Sequence, residues 1–178
     1  MSDRTEIAVE DRAVEDRAVD DRLAALEARV RRLEDSEAIA QLIASYGPLV
    51  DDGDAENVAQ LWDRHGSYDV DGLSMTGRDD IAAMVRSRPH QGLIAEGCAH
   101  VLGPVRVHVD GNSAVAVCHS LLIRHQDHGF VVHRATANHF TLDRTADGWK
   151  IGCRTSRALD GQERAHLLLG AGVRGEHP

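Results

Sequence analysis

The sequence has few aromatic residues, one lysine and three cysteines. Two Trp, two Tyr and two Phe make up 3% of its 178 residues. Lys150 begins a strand pattern, "DGWKI", which argues against a Schiff-base lysine. Cys98, Cys118 and Cys153 show neither CxxC nor another ligand spacing, and no basic-then-apolar leader is present. We therefore expect three free thiols in a reducing cytoplasm.

Long apolar runs and basic patches are also missing, as are several common catalytic motifs. No segment approaches the roughly 18 apolar residues that span a bilayer, and the formal charge of −9 opposes a phosphate backbone. The 11 histidines form no HExxH or HxH, and GxSxG and P-loop motifs are absent. We expect no metal, no cofactor, no nucleic-acid partner and no membrane contact.

The first 35 residues differ from the rest of the chain. They contain the five-residue repeat "AVEDR", "AVEDR", "AVDDR" and then Leu23, Leu26, Val30 and Leu33 at heptad spacing. We interpret residues 1–35 as an acidic extension, helical or mobile, that either self-associates or lies on its own domain. The domain spans residues 36–165, and the tail 166–178, with "LLL", covers a pocket mouth or an interface.

Helical and strand patterns follow each other along the domain. Helical spacing over Ile39–Val50, where Pro48 should kink or end the helix, is followed by helical segments at 55–64 and in "RDDIAAMVRSR". Period-two patterns then predict a hairpin, 105–109 with 113–125, and two further strands, "FVVHRATANHFTLD" and "GWKIGCRTS". This order predicts an α+β fold in which three helices pack against a curved antiparallel sheet.

The third of these strands carries polar residues on its apolar face. Its even positions include Phe130, Arg134, Thr136, Asn138 and Phe140. Burying an unpaired guanidinium or amide costs several kcal/mol, so these groups either form an internal ion pair, such as Arg134 with an aspartate, or line a cavity.

A histidine and an aspartate are the candidates for chemistry. In "SYGPLVDDGD" the aspartates around Gly53 form a solvated turn, unless one of them points inward. His100 begins a strand of core valines and is either a satisfied core residue or, beside an inward Asp, a general base. His119 is in phase with apolar neighbours and could reach the same cavity.

Taken together, "EAIAQLIASYGPLVDDGD", "GRDDIAAMV", "AHVLGPVRVHVDGNSAVAV" and "RATANHFTLDRTADGWKI" resemble the SnoaL-like branch of the nuclear-transport-factor-2-like superfamily. The resemblance covers about residues 36–165 and implies a cone-shaped α+β fold. This superfamily hosts dehydratases, isomerases and non-catalytic binders, so the resemblance leaves the reaction open.

The similarity to dehydratases implies a set of site residues. Asp51, five residues after Tyr46, would orient His100 as the base of a cofactor-free elimination, with Asp52 and Asp54 left in the turn. Tyr46, Arg134 or Asn138 would stabilise the developing negative charge. The expected substrate-binding residues, each of which could instead be core, are Trp62, Tyr68, His119, Phe130, Asn138 and Phe140.

The resemblance leads to a lyase of the dehydratase type acting on a small hydrophobic or polycyclic substrate. An isomerase using the same dyad, or a non-catalytic binding protein, remains the alternative. Members of this fold associate through sheet or helices, so a homodimer or homotrimer is expected.

Overall fold

The computed structural model describes residues 3–177, with side chains from residue 16 onward. The chain divides into two compact units between Asp35 and Ser36. Helix α1 begins at Asp3 in the first unit and ends at Asp52 in the second. In the first unit the side chains of Leu23, Leu26, Val30 and Leu33 are exposed.

The part of α1 in the second unit packs through one stripe. Ile39, Ile43, Tyr46 and Val50, spaced by four, three and four residues, are all buried. The expectation that Pro48 would end the helix is wrong, because α1 continues through it to Asp52. The flanking buried residues hold the last turn in place, so tertiary packing overrides the local preference of proline.

The remaining helices are short. They are α2 (Ala55–Gln60), α3 (Gly77–Arg86), α4 (Arg88–Glu96) and α5 (Glu163–Arg174). The segment expected to stay helical to residue 64 stops at Gln60, because a strand begins at Trp62. The predicted α+β class with a curved sheet is confirmed, although five helices form in the described chain rather than three plus the extension.

Seven strands make the sheet: β1 (Trp62–Val70), β2 (Leu73–Thr76), β3 (Cys98–Leu102), β4 (Arg106–Asp110), β5 (Ser113–Gln126), β6 (Gly129–Thr145) and β7 (Gly148–Ala158). Their order is β2-β1-β7-β6-β5-β3, and β4 also pairs with β5. The sheet is curved and unclosed, so it is not a barrel. The expectation of a purely antiparallel sheet is wrong for one pair, since β1 and β7 run parallel.

Two bulges decide which side chains face inward. In β6, Arg134 pairs with Leu122 while Val132 pairs with Ile123, so His133 is an extra residue. In β7 the register shift leaves Gly152 extra, between the partners of Thr141 and Leu142. An extra residue moves everything beyond it to the opposite face of the strand.

Helix α5 covers the convex face of the sheet. Ala165 and Leu168 of α5 form a buried cluster with Ala137 of β6, and Gly172 lies directly against Val117 of β5. Most of the tail expected at 166–178 is therefore a packed helix. Within the residues described, no helix has the length and apolar character needed to cross a membrane.

Candidate active site

A cavity of about 470 Å³ lies between the concave face of the sheet and the helices. Apolar side chains make up much of its wall, and polar groups enter from β3, β5, β6 and β7. The lining residues are Tyr46, Tyr68, Val70, Leu73, Met75, Met84, Ser87, Pro89, His90, Leu93, His100, Ser120, Leu121, Leu122, Arg134, Thr136, Arg154 and Ser156.

Asp51 and His100 form a hydrogen-bonded dyad at the edge of this cavity. The last turn of α1 supplies Asp51 and β3 supplies His100, whose Nδ1 lies 2.6 Å from Asp51 Oδ1. The backbone N–H of His100 donates to Asp51 Oδ2 over 2.7 Å. Because a carboxylate only accepts, Nδ1 carries the proton, and Nε2 is left for a molecule in the cavity.

The hydrogen bonds of the dyad control the charge of Asp51. Burial raises the pKa of the Asp51 carboxyl, but the side-chain and backbone hydrogen bonds from His100 lower it by more, so the pKa lies below its ordinary value. Asp51 is therefore ionised at neutral pH and can balance an imidazolium on His100.

The other aspartates of this segment face away from the cavity. Asp52 is exposed. Asp54 is the N-cap of α2, accepting hydrogen bonds from the backbone N and the Nδ2 of Asn57. Gly53, with φ of 75°, provides the left-handed turn between the two helices.

Tyr46 lines the cavity one and a half turns before Asp51 on α1. Its ring is buried and lies edge-on to the rings of Trp62, Tyr68 and His100, with centroids 5.9, 6.3 and 6.3 Å away. Burial raises the pKa of the Tyr46 hydroxyl above its usual range, against the lowering effect of Arg154. The hydroxyl stays protonated and can donate a hydrogen bond.

Arg154 of β7 is a buried cation that lines the cavity and was not among the sequence candidates. Its guanidinium carbon lies 4.2 Å from the Tyr46 ring centroid and 4.5 Å from that of Tyr68. Its Nε and Nη2 donate to Asn138 Oδ1 over 3.2 and 2.8 Å. Nη1 is buried without a hydrogen-bond partner among the described residues. Such a group is suited to receiving a negatively charged oxygen.

Asn138 is not in the cavity wall but behind it. Its carbonyl also accepts from Ser156 Oγ over 2.5 Å, and its Nδ2 donates to Ser120 Oγ over 2.9 Å. The amide therefore fixes Arg154, Ser156 and Ser120, all of which reach the cavity. Its buried position on the β6 face agrees with the polar pattern in the sequence, but its contacts make it a positioning residue.

Arg134, the arginine expected in the site, lines the cavity and also pairs with Asp71. Both alternatives given by the sequence therefore hold, because the ion pair and the cavity contact coexist. Its charge is already met by a carboxylate, whereas Arg154 has no acidic partner in the described chain. Arg154 is for that reason the better candidate for stabilising negative charge.

The predicted aromatic wall is only partly present. Tyr68 lines the cavity. Trp62 and Phe140 are buried in the core and do not reach it: Trp62 donates from Nε1 to the Ser67 carbonyl and packs on Tyr68, while Phe140 lies below the Arg154 guanidinium. Their contribution is to hold the residues that do line the cavity.

His119 and Phe130 lie on the opposite face of the sheet, so their expected place in the cavity is corrected. His119 pairs with Ala137, which is buried under α5, and its side chain is exposed. Phe130 is 73% exposed and packs on His125, because the bulge at His133 turns this end of β6 outward. Strict alternation along β6 cannot show that inversion.

Two more residues beside the dyad were missed. His90 of α4 is buried, lines the cavity, contacts the Val50 carbonyl through Nε2 at 3.0 Å and lies 5.6 Å, ring to ring, from His100. Cys98 places its Sγ 3.6 Å from Asp51 Oδ1. Asp51, Cys98 and His100 together offer three metal-ligating atoms within 4.8 Å of one another. A search for short ligand motifs in the sequence misses this cluster, because Asp51 lies 47 residues before Cys98.

The fold agrees with a family match. The model of the SnoaL-like domain matches residues 31–155. The chain belongs to the SnoaL-like family. No protein with a curated description matches it in sequence.

Several solved structures are also similar to this SnoaL-like protein. An NTF2-like protein with a cystatin-like fold from Novosphingobium aromaticivorans is 47% identical, with a TM-score of 0.79, over 81% of this chain and 94% of that one. A protein from the same organism provisionally assigned as a scytalone dehydratase is 18% identical, with a TM-score of 0.59, over 71% and 85%. One provisionally assigned as an aromatic ring hydroxylase is 24% identical, with a TM-score of 0.57, over 71% and 90%. These last two show the shared fold alone.

Proposed function

We propose that this protein is a lyase of the dehydratase type that removes water from a small, hydrophobic or polycyclic compound without a cofactor. The observation that carries the proposal is the 2.6 Å bond between Asp51 and His100 Nδ1, with His100 lining a cavity of about 470 Å³. An imidazole held in this way can act as a general base. A protein provisionally assigned as a scytalone dehydratase has the same fold.

The first step is removal of a proton from carbon. His100 Nε2 takes a proton from a carbon next to a carbonyl, and the electron pair of the C–H bond moves onto the carbonyl oxygen. Asp51, ionised because its pKa is lowered, balances the imidazolium that forms. The fixed Nδ1–H bond keeps the ring in the tautomer that leaves Nε2 free to accept.

The negative oxygen formed in this step needs donors. Arg154 Nη1 is buried, unpartnered within the described chain and part of a cavity-lining side chain. The Tyr46 hydroxyl, protonated because burial raises its pKa, lies beside it. Both donors are fixed before substrate arrives, so stabilising the oxyanion requires little reorganisation.

The second step breaks the carbon–oxygen bond. The enolate re-forms its carbonyl, a carbon–carbon double bond forms, and the neighbouring hydroxyl leaves. That oxygen takes the proton now held on His100 Nε2 and departs as water, which restores the neutral imidazole. The overall change is substrate to unsaturated product plus one water.

The cavity wall indicates the substrate class. Val70, Leu73, Met75, Met84 and Leu93 supply apolar surface from strands and helices. Polar groups come from the dyad, from the stripe organised by Asn138, and from a few further side chains that include His90 and Arg134. A ring compound with a carbonyl and a β-hydroxyl matches this arrangement of apolar area with a few placed donors.

A screen of β-hydroxy ketones and hydroxylated ring compounds tests the proposal. Product is detected by mass spectrometry as loss of water. His100→Gln should lower turnover by about 10²–10⁴-fold, as expected for loss of a general base. Asp51→Asn should lower it by a similar factor, since the wrong imidazole tautomer is then allowed.

A histidine outside the cavity provides the matched control. His119→Gln changes an exposed imidazole on the opposite face of the sheet and should leave turnover unchanged. If compounds bind but none reacts, and His100→Gln binds them as tightly as the native chain, the lyase proposal is wrong and the protein is a binder.

Isomerisation is the second candidate, and His90 is the observation that favours it. Its ring centroid lies 5.6 Å from that of His100, so a second ionisable group faces the same cavity. An isomerase would return the proton to another carbon instead of expelling hydroxide. Exchange of substrate hydrogen with deuterated water and no change in elemental composition would identify this reaction.

A further inference from the structure

The thiol of Cys98 lies beside the Asp51–His100 dyad, so a thiol, an imidazole and a carboxylate are close together. Cys98 and His100 are two residues apart on β3, so their side chains leave the strand on the same face. Asp51 reaches both from the end of α1, at 3.6 Å from Cys98 Sγ and 2.6 Å from His100 Nδ1. The proposed elimination has no use for the thiol.

We propose that Asp51, Cys98 and His100 bind a thiophilic divalent cation such as Zn²⁺, and that the bound ion switches the dyad off. Thiolate, imidazole nitrogen and carboxylate oxygen are the three ligand types of protein zinc sites. The fourth position would be open to water. The inhibitory consequence rests on the proposed function, whereas the metal site itself does not.

The distances fit a tetrahedral centre after a small movement. With Zn–S near 2.3 Å and Zn–O or Zn–N near 2.0–2.1 Å, tetrahedral angles place sulfur and oxygen about 3.5 Å apart and nitrogen and oxygen about 3.3 Å apart. The oxygen–sulfur distance is already 3.6 Å. The 2.6 Å nitrogen–oxygen distance must widen by about 0.7 Å, which rotation of the side chains can supply.

Access and charge also suit a cation. The side chains of His100 and Asp51 are 20% and 22% exposed, so an ion can enter without unfolding. The site supplies the ionised Asp51 and the Cys98 sulfur. Burial and the neighbouring Asp51 raise the pKa of the Cys98 thiol to about 11, so the cation displaces the thiol proton, which is released to solvent, and binds the thiolate. Arg124 is the nearby cation that opposes binding, and its guanidinium is paired with Glu96.

Binding would act through the imidazole tautomer. In the free dyad the Nδ1–H of His100 points to Asp51, and Nε2 accepts. A cation bound at Nδ1 forces the ring proton onto Nε2. His100 then has no lone pair for a substrate proton, so the same ion that occupies Asp51 and Cys98 removes the general base.

Co²⁺ added to the full-length, untagged chain tests the site directly. We expect one Co²⁺ per chain and a near-ultraviolet thiolate-to-cobalt charge-transfer band, both lost when Zn²⁺ is added in competition. Cys98→Ser should abolish the band. It should also weaken Zn²⁺ binding in calorimetry by more than the roughly 10–100-fold that loss of an outer-shell partner costs.

Another cysteine supplies the control. Cys153, whose Sγ lies near Thr155 Oγ1 on β7, is equally half-buried but far from the dyad, so Cys153→Ser should keep the band. Cys98→Ala serves as a second variant if Cys98→Ser does not fold, as judged by circular dichroism. A folded native chain without the band at saturating Co²⁺, or a band that survives in Cys98→Ser, overturns the proposal.

The tautomer switch has its own readout, independent of turnover. Long-range ¹H–¹⁵N spectra of the His100 ring should show Nε2 protonated in the Zn²⁺-loaded chain and Nδ1 protonated without metal. A metal-loaded chain that keeps Nδ1–H contradicts the switch. Because neither readout needs a substrate, failure of the metal site is distinguishable from failure of the lyase proposal.

Discussion

Gly47 of α1 lies directly against the backbone carbonyl of His100 on β3. A Cβ built at Gly47 would overlap that oxygen, and Leu102 Cδ1 is also within 3.8 Å of the same point. The helix that carries Asp51 and the strand that carries His100 can therefore approach each other only because residue 47 has no side chain. The short distance within the dyad depends on this contact.

Gly47→Ala should separate the two members of the dyad. We expect a loss of about 1–3 kcal/mol in the free energy of unfolding, typical of an overpacked contact. Turnover should fall by about 10²-fold, since misplacement by about 1 Å costs that much. Denaturant titration and steady-state kinetics measure the two effects.

Gly92 of α4 is the control for this substitution. A Cβ at Gly92 meets no atom within 4 Å, so Gly92→Ala should stabilise the helix by about 0.5–1 kcal/mol and leave turnover unchanged. If Gly47→Ala behaves like Gly92→Ala, the helix–strand contact does not set the dyad.

The lowered pKa of Asp51 predicts how stability depends on pH. Because the folded-state pKa lies below the ordinary 3.8, the ionised carboxylate stabilises the fold above that pH, and the contribution is lost as pH falls through the folded pKa. The difference in unfolding free energy between the native chain and Asp51→Asn should therefore shrink in acid below about pH 4.

Asp52→Asn, which changes the exposed neighbouring carboxylate, should follow the native pH dependence. Urea titrations from pH 7 to pH 3 measure all three proteins. A native–Asp51→Asn difference that is constant over this range would show that His100 does not stabilise the ionised Asp51.

Replacing Arg154 by lysine should be costly although the charge is kept. A lysine ammonium cannot reproduce the paired bonds from Nε and Nη2 of Arg154 to Asn138, and it has no flat guanidinium to lie over the rings of Tyr46 and Tyr68. We expect a loss of about 1–3 kcal/mol in unfolding free energy and weaker binding of ligands with an anionic oxygen. Chemical denaturation and calorimetric titration of a substrate analogue are the measurements.

Arg157→Lys changes the arginine that pairs with Asp69 on the other side of β7, so it should cost no more than about 1 kcal/mol. Equal losses in Arg154→Lys and Arg157→Lys would contradict the special role given to Arg154.

The predicted homodimer or homotrimer has a candidate surface in the outward-facing end of the sheet. Val101, Phe130 and Val132 are 44%, 73% and 59% exposed on that face. Phe130→Asp combined with Val132→Asp should lower the molecular mass seen in sedimentation equilibrium to that of a monomer. The double substitution Leu26→Lys and Leu33→Lys tests the N-terminal helix instead. If only this pair dissociates the oligomer, the interface is formed by the N-terminal helix and not by the sheet.

Much of the fold followed from periodicity. The β4–β5 hairpin and the long β6 were predicted from alternating residues, and the stripe from Ile39 to Val50 predicted the buried face of α1. Strand β1 was not predicted, because "WDRHGSYDV" is mostly polar. Its pairing with β7 is set by tertiary contacts that no local pattern encodes.

The errors in the candidate site have one physical cause. Alternation from Ile151 places Arg154 on the convex face, and alternation from Asn138 places Phe130 on the concave face. Single extra residues at Gly152 and His133 invert both placements. The glycine was a visible signal, since glycine inside a strand often marks a bulge, whereas His133 gave none. Asp51 was singled out by the resemblance to dehydratases, and His100 by that resemblance and by its place early in a strand pattern, so neither depended on alternation across a bulge.

The bulge at His133 divides β6 into two segments that face different surroundings. From Arg134 to Leu142 the chain contributes to the cavity and the packing behind it, while Phe130 and Val132 belong to the outer surface. Substitutions in the outer segment change exposed surface and leave the residues that line the cavity in place. One strand thus carries two sequence segments that selection can adjust separately.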